Sequence, residues 1–221
     1  MRHLLLSLAL VAAALPACAQ ERQQQRQSDP DQNVTNGGQL PSGWQARLDR
    51  PNARLADLRF VTMGSGFHTT SGPAAIFWNP RDMVQGAYTA QATFTQTKAP
   101  MHPEAYGLFV GGQNLTAADQ SYMYFLVRGD GKYLIKHRAG PETHTITDWT
   151  DHAAIRRADE SGKATNTIAI NVTADRVRFL ANGTEVASFP KGQAMMQTDG
   201  QAGLRVNHNL DVHIDAFGVR R

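Results

Sequence analysis

The chain is poor in cysteine, in runs of like charge and in long apolar stretches. Cys18 is the only cysteine among 221 residues, so the domain beyond it has no disulfide and depends on its apolar core for stability. Basic residues are scattered and the formal net charge is only +3, which argues against a nucleic-acid partner. The longest apolar run, residues 4–15, is too short to cross a bilayer, so we expect no membrane span.

Residues 1–19 have the pattern of an export signal, with a basic start, an apolar run and small residues at its end. Two processing routes stay open. Cleavage after Ala19 would release a soluble protein, whereas "LPAC" resembles a bacterial lipobox and would leave a lipid anchor on Cys18. Pro16 is unusual in a lipobox and favours soluble release slightly. Both routes predict an exported, periplasmic or extracellular protein, and we expect a monomer.

The remainder divides into a tether and one domain. Residues 20–40 contain almost no large apolar side chains, which is typical of a disordered tether. Residues 41–221 carry short segments that alternate between polar and apolar, such as "GAYTAQATFTQ", and turn signals such as Asn182-Gly183. Only residues 151–158 and 191–196 could hold a helical turn. The sequence therefore predicts an all-β fold, a two-sheet antiparallel sandwich or jelly roll.

The stretch "SYMYFLVRGDGKYLIKHR", residues 121–138, predicts a hairpin whose loop length decides which side chains share a face. A two-residue loop would place Lys136 opposite Phe125 and mix charges with apolar groups. A three-residue loop, Gly129 to Gly131 with Gly131 left-handed, shifts the pairing by one and separates the two kinds of side chain. We expect the three-residue loop because it segregates them.

With that register, one face of the hairpin is apolar and the other collects tyrosines and cations. The second face contains Tyr122, Tyr124, Leu126, Arg128, Lys132, Leu134, Lys136 and Arg138. We expect this face to meet water. It is either an ordinary solvated sheet face, with cationic stems covering the rings, or a surface on which tyrosine rings stack against sugars while cations bind hydroxyls or carboxylates.

Several segments together resemble a known family. They are "YGLFVGG" at 106–112, "YMYFLVRGDGKYLIKHR" at 122–138, "TNTIAINVTADRVRFLANGTEV" at 165–186 and "GLRVNHNLDVHIDAFGV" at 203–219. The chain resembles the LamG-like, concanavalin A-like jelly rolls of secreted bacterial proteins, and is similar to the 3-keto-disaccharide hydrolase domains among them. The resemblance implies two β-sheets, a concave face that holds carbohydrate and, in some members, a structural calcium. We expect no other cofactor.

Catalytic patterns are sparse. Endoglucanases of this fold carry a Glu-x-Asp-x-(x)-Glu strand motif, and none of the five glutamates of the sequence lies in one. Retaining hydrolysis needs two carboxyl groups about 5 Å apart, and only Asp211 and Asp215 have strand spacing that would allow this. A phosphate-binding glycine loop and a G-x-S-x-G elbow are both missing, which removes support for nucleotide hydrolysis and acyl transfer.

The candidate site residues follow from these patterns. The hairpin offers Tyr122, Tyr124, Arg128, Lys136 and Arg138 for ligand contact, the loop after residue 206 adds Asn207 and His208, and His144 and Asp148 are candidate acid/base residues. Each has a plainer interpretation, a turn for the loop and an ordinary strand for "HTITDWTDH". No metal-ligand spacing occurs, so we expect no transition metal. The sequence favours a carbohydrate- or glycoconjugate-binding domain. A glycoside hydrolase of the 3-keto-disaccharide type and a non-catalytic cell-envelope interaction module are the alternatives.

Overall fold

The computed structural model describes residues 29–193 and 195–221, so the predicted export signal and Cys18 lie outside the described residues. The chain divides into two compact units, Met1–Pro30 and Asp31–Arg221, and the fold below is that of the second. Among the described residues there is no helix of sufficient length and apolar character to cross a membrane.

Two antiparallel sheets of seven strands form a jelly-roll-like sandwich, which confirms the predicted fold class. The strands are β1 (Gln45–Leu48), β2 (Leu58–Met63), β3 (Gly66–Ser71), β4 (Ala75–Val84), β5 (Tyr88–Gln96), β6 (Ala105–Gln113), β7 (Ser121–Arg128), β8 (Lys132–Ala139), β9 (Glu142–Asp151), β10 (Ala164–Val172), β11 (Arg176–Ala181), β12 (Thr184–Pro190), β13 (Gly200–Val206) and β14 (Asp211–Arg220). The first sheet has the order β1-β4-β13-β6-β7-β8-β9 and the second β12-β11-β10-β5-β14-β3-β2.

The core between the sheets follows the alternation in the sequence. In β5 the inward positions are buried, namely Tyr88, Ala90, Ala92 and Phe94. The outward threonines of β5 pair with those of β10, with Thr93 and Thr167 hydroxyls 2.8 Å apart. The Asn182-Gly183 turn joins β11 to β12 with positive φ at both residues, 50° and 82°, as predicted for this hairpin signal.

Three segments differ from the sequence-based expectations. Strand β1 was not predicted, because four residues are too few to show alternation. A short 3-10 helix, Leu55–Asp57, was also missed. Residues 151–158, which could hold a helical turn, form one hydrogen-bonded turn, in which Ile155 N donates to His152 O (3.0 Å), and no helix. The Asn166 side chain holds that stretch, since its Oδ1 accepts from Arg156 N (2.8 Å) and its Nδ2 donates to Arg156 O (3.1 Å).

Residues 31–40, which the sequence places in the tether, contact the sandwich. Gly38 N donates to Leu58 O (3.0 Å), and Gln32 Nε2 donates to Ser71 O (2.8 Å). Gly37 lies against the backbone of Ala56, where a side chain would not fit.

Candidate functional site

The loop of the β7–β8 hairpin contains three residues, as predicted. Tyr124 pairs with Lys136 and Phe125 pairs with Ile135 across the two strands. Gly131 has φ 88° and its N–H donates to the carbonyl of Arg128 (3.1 Å), which closes the turn. The pairing in turn fixes the side chains that share each face of the hairpin.

The expectation that the tyrosines meet water is wrong. Tyr122 is 0% and Tyr124 4% exposed. They belong to a second apolar cluster on the outward face of the first sheet, whose other buried members are Ile76, Trp78, Ala105, Phe109, Leu115, Leu126 and Leu134. The Tyr124 ring is covered by a residue that is distant in the sequence. The Arg205 guanidinium of β13 lies over this ring, 4.8 Å from its centroid.

A charged network joins this cluster, and we call the surface formed by Tyr122, Tyr124, Arg138, Arg205 and Asp49 the tyrosine–arginine face. Arg205 donates from Nη2 to Asp49 Oδ2 (2.7 Å) and from Nη1 to Asp49 Oδ1 (3.2 Å) and Tyr122 Oη (3.1 Å). Arg138 Nη2 lies 3.3 Å from Asp49 Oδ2. Side-chain exposure rises from 6% for Arg205 to 13% for Arg138 and 23% for Asp49, so solvent reaches the network at Asp49.

Opposing effects set the charge state of this network. Burial by itself would raise the pKa of Asp49, but the positive charges of Arg205, Arg138 and Arg47 hold it below its usual value. Burial would likewise lower the pKa of Arg205, and Asp49 raises it well above the usual range. Burial raises the pKa of the Tyr122 and Tyr124 hydroxyls. At neutral pH the face therefore presents neutral phenols beside charged guanidinium groups.

The turn end of the hairpin is electrically balanced. Arg128 forms a two-point pair with Asp130, from Nε to Oδ1 (2.7 Å) and from Nη2 to Oδ2 (2.7 Å), and lies 4.2 Å from the ring centroid of Trp149. Lys132 Nζ lies 3.7 Å from Asp151 Oδ2. Arg128, which the sequence offered for ligand contact, therefore already has a carboxylate partner.

The structure places Asn207 and His208 at the turn end of the sheet, away from Tyr122. Asn207 N donates to Ala105 O (2.9 Å), and Ala105 pairs with Arg128. Six residues of strand, about 20 Å, separate Arg128 from Tyr122. His208 Nε2 lies 2.7 Å from Glu104 Oε1.

His144 and Asp148 do not form a catalytic pair in the described structure. His144 pairs with His137, which shares its face of β8 with the core residue Ile135, and His144 Nε2 lies 4.0 Å from Glu142 Oε2. Asp148 is exposed, and its Oδ1 accepts from the backbone N–H of Trp149 (2.8 Å). Neither side chain contacts the other among the described residues.

The outward face of the second sheet has a groove of about 760 Å³, which we call the histidine groove; it is lined by Met63, Gly64, Ser65, His68, Thr95, Thr97, Lys163, Thr165, His213 and Asp215. His68 pairs with His213 across β3 and β14, with ring centroids 6.2 Å apart. His68 Nε2 lies 3.2 Å from Asp211 Oδ1. The groove offers hydroxyls, imidazoles and carboxylates, but no aromatic ring besides the two histidines lines it.

Sequence reasoning missed Asp49, Arg47 and Arg205. A signal for Arg205 was available, because it alternates with the core residues Leu204 and Val206 and so had to point outward. Asp49 follows a strand that was not predicted. Among the described residues of Asp31–Arg221, no three histidine or carboxylate side chains converge within metal-ligand distance, so the structural calcium implied by the resemblance stays a prediction.

Solved structures with the same fold are numerous, although no protein-family model and no curated relative matches the sequence. The carbohydrate-binding module CBM66 from Bacillus subtilis aligns with TM-score 0.60 and 11% identity over 86% of this chain and 100% of that one. A B. subtilis protein of unknown function with a galectin-like fold aligns with TM-score 0.59 and 11% identity over 80% and 88%. A glycoside hydrolase family 16 enzyme from Bacteroides ovatus, bound to its product, aligns with TM-score 0.56 and 8% identity over 83% and 97%. At these identities the comparison establishes the jelly-roll sandwich fold.

Proposed function

We propose that this domain binds carbohydrate, and that the tyrosine–arginine face is its binding surface. The observation that carries the proposal is the position of a charged network, Asp49 with Arg138 and Arg205, beside the rings of Tyr122 and Tyr124 on the outward face of a sheet. Buried ion pairs contribute little to stability relative to apolar packing. The network is also open to solvent at Asp49 and Arg138, so its charged groups can contact a ligand.

The chemistry of this face suits a saccharide. The tyrosine rings are buried and Arg205 lies over the ring of Tyr124, so the groups that a ligand would meet on this face are polar. Guanidinium donors and a carboxylate acceptor supply the polar contacts that fix sugar hydroxyls. Structures of similar fold are titled a carbohydrate-binding module and a glucan-bound glycoside hydrolase, which agrees with the proposal without establishing it.

Binding is favoured over hydrolysis because the network contains one carboxylate. Glycoside hydrolysis ordinarily uses two carboxyl groups, and Asp49 is held ionised by three arginines, which suits an acceptor rather than a general acid. We therefore place the 3-keto-disaccharide hydrolase activity second. A third role, interaction with a protein of the cell envelope, becomes the conclusion if neither binding nor turnover of saccharides is detected.

A glycan array followed by calorimetry tests the proposal. We expect the wild-type protein to bind at least one class of saccharide without product formation. Tyr124→Ala should weaken binding because it removes the ring on which the Arg205 guanidinium lies, whereas His68→Ala in the histidine groove should leave the affinity within twofold. Circular dichroism and thermal melts establish that both variants fold. Binding lost in His68→Ala but retained in Tyr124→Ala would move the site to the other sheet.

A further inference from the structure

We infer that the saccharide recognised by the tyrosine–arginine face is anionic, carrying a carboxylate or sulfate group that binds beside Arg138 and Arg205. This inference rests on the proposed carbohydrate binding and names the class of its ligand. Three independent features of the network support it: an imbalance of charge, unused donors and the place where the network opens.

The charge imbalance lies at the end of the face that contains Asp49. The guanidinium groups of Arg47, Arg138 and Arg205 all act on this carboxylate, so three positive charges against one negative leave a surplus of two. Arg47 donates to the backbone carbonyls of Leu115 (3.0 Å) and Ala117 (2.6 Å), which carry no compensating charge. Only Arg205 of the three is buried, whereas Arg47 and Arg138 are half-buried, so an anion approaching from solvent would be attracted to this end of the face.

Lys136 increases the surplus. It lies on the same outward face as Arg138, two residues away along β8, and pairs across the sheet with Tyr124. It forms no ion pair with any described residue, whereas Arg128 and Lys132 at the turn end each have a carboxylate within 4 Å. The positive surplus is thus confined to one end of the face.

The unused donors are the Nε–H groups of Arg138 and Arg205. Both nitrogens are buried and have no hydrogen-bond partner among the described residues. Leaving a buried donor without an acceptor costs free energy, more so when the donor is charged. The Arg138 guanidinium is the more exposed of the two, so an oxyanion of the ligand would bind there, and a guanidinium group matches the planar carboxylate in geometry.

The network opens at Asp49 and Arg138, which are its more exposed members. An anionic group entering from this side meets Arg138 before Arg205, with the Tyr122 and Tyr124 rings adjacent. A sugar ring linked to that group would then lie over Arg138 and toward Lys136, because the tyrosine rings themselves are buried. Neutral saccharides would leave both the charge surplus and the Nε donors uncompensated.

Calorimetry with three probes tests the inference, using an alginate oligosaccharide, a sulfated dextran and a neutral dextran of similar length. The purified protein should bind at least one anionic probe about tenfold or more tightly than the neutral one, and the affinity should fall as salt is raised. Preference for alginate assigns a carboxylate as the bound group, and preference for the sulfated probe assigns a sulfate.

Matched variants separate this site from general attraction between charges. Arg138→Gln and Lys136→Gln should each weaken binding of the anionic probe, by about tenfold for Arg138→Gln. Lys132→Gln removes the same charge from the same hairpin but at its balanced end, and should change affinity less than twofold. Lys136 forms no ion pair with any described residue, so we expect Lys136→Gln to fold. This variant therefore tests the inference even if Arg138→Gln fails to fold.

Different results would overturn the anionic nature of the ligand and the proposed carbohydrate binding. Equal affinity for neutral and anionic probes, or equal losses in Lys132→Gln and Arg138→Gln, would overturn the anionic ligand while carbohydrate binding stands. Absence of binding to every glycan on the array would overturn the proposed function itself.

Discussion

Asp49 and Arg205 form a two-point ion pair although 156 residues separate them in the sequence. The pair fastens the segment after the edge strand β1 to β13, two strands away in the sheet. It also orients Arg205 toward the hydroxyl of Tyr122 and over the ring of Tyr124. One side-chain contact thus ties the stability of the first sheet to the surface proposed for binding.

Removal of one partner of this pair should be strongly destabilising. Asp49→Ala leaves the buried Arg205 charge without its carboxylate, and we expect the free energy of unfolding to fall by about 3 kcal/mol. Urea denaturation monitored by fluorescence measures the change. Asp151→Ala removes the carboxylate of two exposed pairs, with Lys132 and with Arg157, and should cost less than about 1 kcal/mol. Similar losses in the two variants would contradict the account of the network.

The hairpin register should depend on Gly131. Its φ of 88° lies in a region that residues with a side chain rarely adopt, and the Cβ of an alanine would meet only the flexible side chain of Arg157. We expect Gly131→Ala to lower the free energy of unfolding by about 1–2 kcal/mol through backbone strain. Gly218→Ala is the control, because its added Cβ meets no atom within 4 Å and its φ is not positive. A neutral Gly131→Ala would show that the loop adopts another turn.

The hairpin shows how much the sequence could predict. Its register follows from segregation of side chains within eighteen residues, a local property, and the structure confirms it. The exposure of Tyr122 and Tyr124 is not local, because the guanidinium that covers Tyr124 comes from β13 and its partner Asp49 follows β1. A single sequence does not show such distant contacts, so Asp49, Arg47 and Arg205 were missed, whereas Tyr122, Tyr124, Arg138 and the fold class were predicted.

The contrast between local and long-range contacts also explains the other differences between the predicted and the observed structure. Asn207 and His208 were grouped with the tyrosines because both sets suit sugar binding. In the structure Asn207 and His208 lie near the Arg128 end of β7, whereas Tyr122 lies near its other end. The segment 151–158 has helix-forming alanines, yet its backbone groups are held by the side chain of Asn166 from β10. In both cases a tertiary contact determines the conformation or position of the segment, which composition alone does not specify.

Asn166 should be among the most sensitive polar residues of the sandwich. It is fully buried, and besides its two bonds to Arg156 it donates to Tyr106 Oη (3.3 Å) and accepts from Asn182 Nδ2 (2.8 Å). Asn166→Ala should lower the free energy of unfolding by about 3 kcal/mol, since several buried groups lose their partner. Asn171→Ala, which removes one bond to Thr89, should cost about 1 kcal/mol. Chemical denaturation of both variants gives the comparison, and equal costs would contradict the role of Asn166.

Stability at acid pH should depend on Asp211. Hydrogen bonding from His68, with Thr97 and Thr70 contributing, holds the pKa of Asp211 well below its ordinary value of 3.8, although burial opposes this. Because the folded-state pKa is the lower one, the stabilisation is present above about pH 4 and is lost as the pH falls through the acid range.

Asp211→Asn should therefore be less stable than wild type at neutral pH, by on the order of 1 kcal/mol. The variant should also lose less stability than wild type between about pH 5 and about pH 2. Thermal melts across this range measure both effects. Parallel pH profiles for the two proteins would show that Asp211 is not held ionised by these contacts.

NMR of the arginine side chains tests the central claim most directly. The Nε–H signals of Arg138 and Arg205 can be followed while a saccharide that binds the protein is titrated in. We predict that both signals shift, and that His68 and His213 in the histidine groove stay unchanged. Shifts confined to His68 and His213 would contradict the claim and place the binding surface on the second sheet.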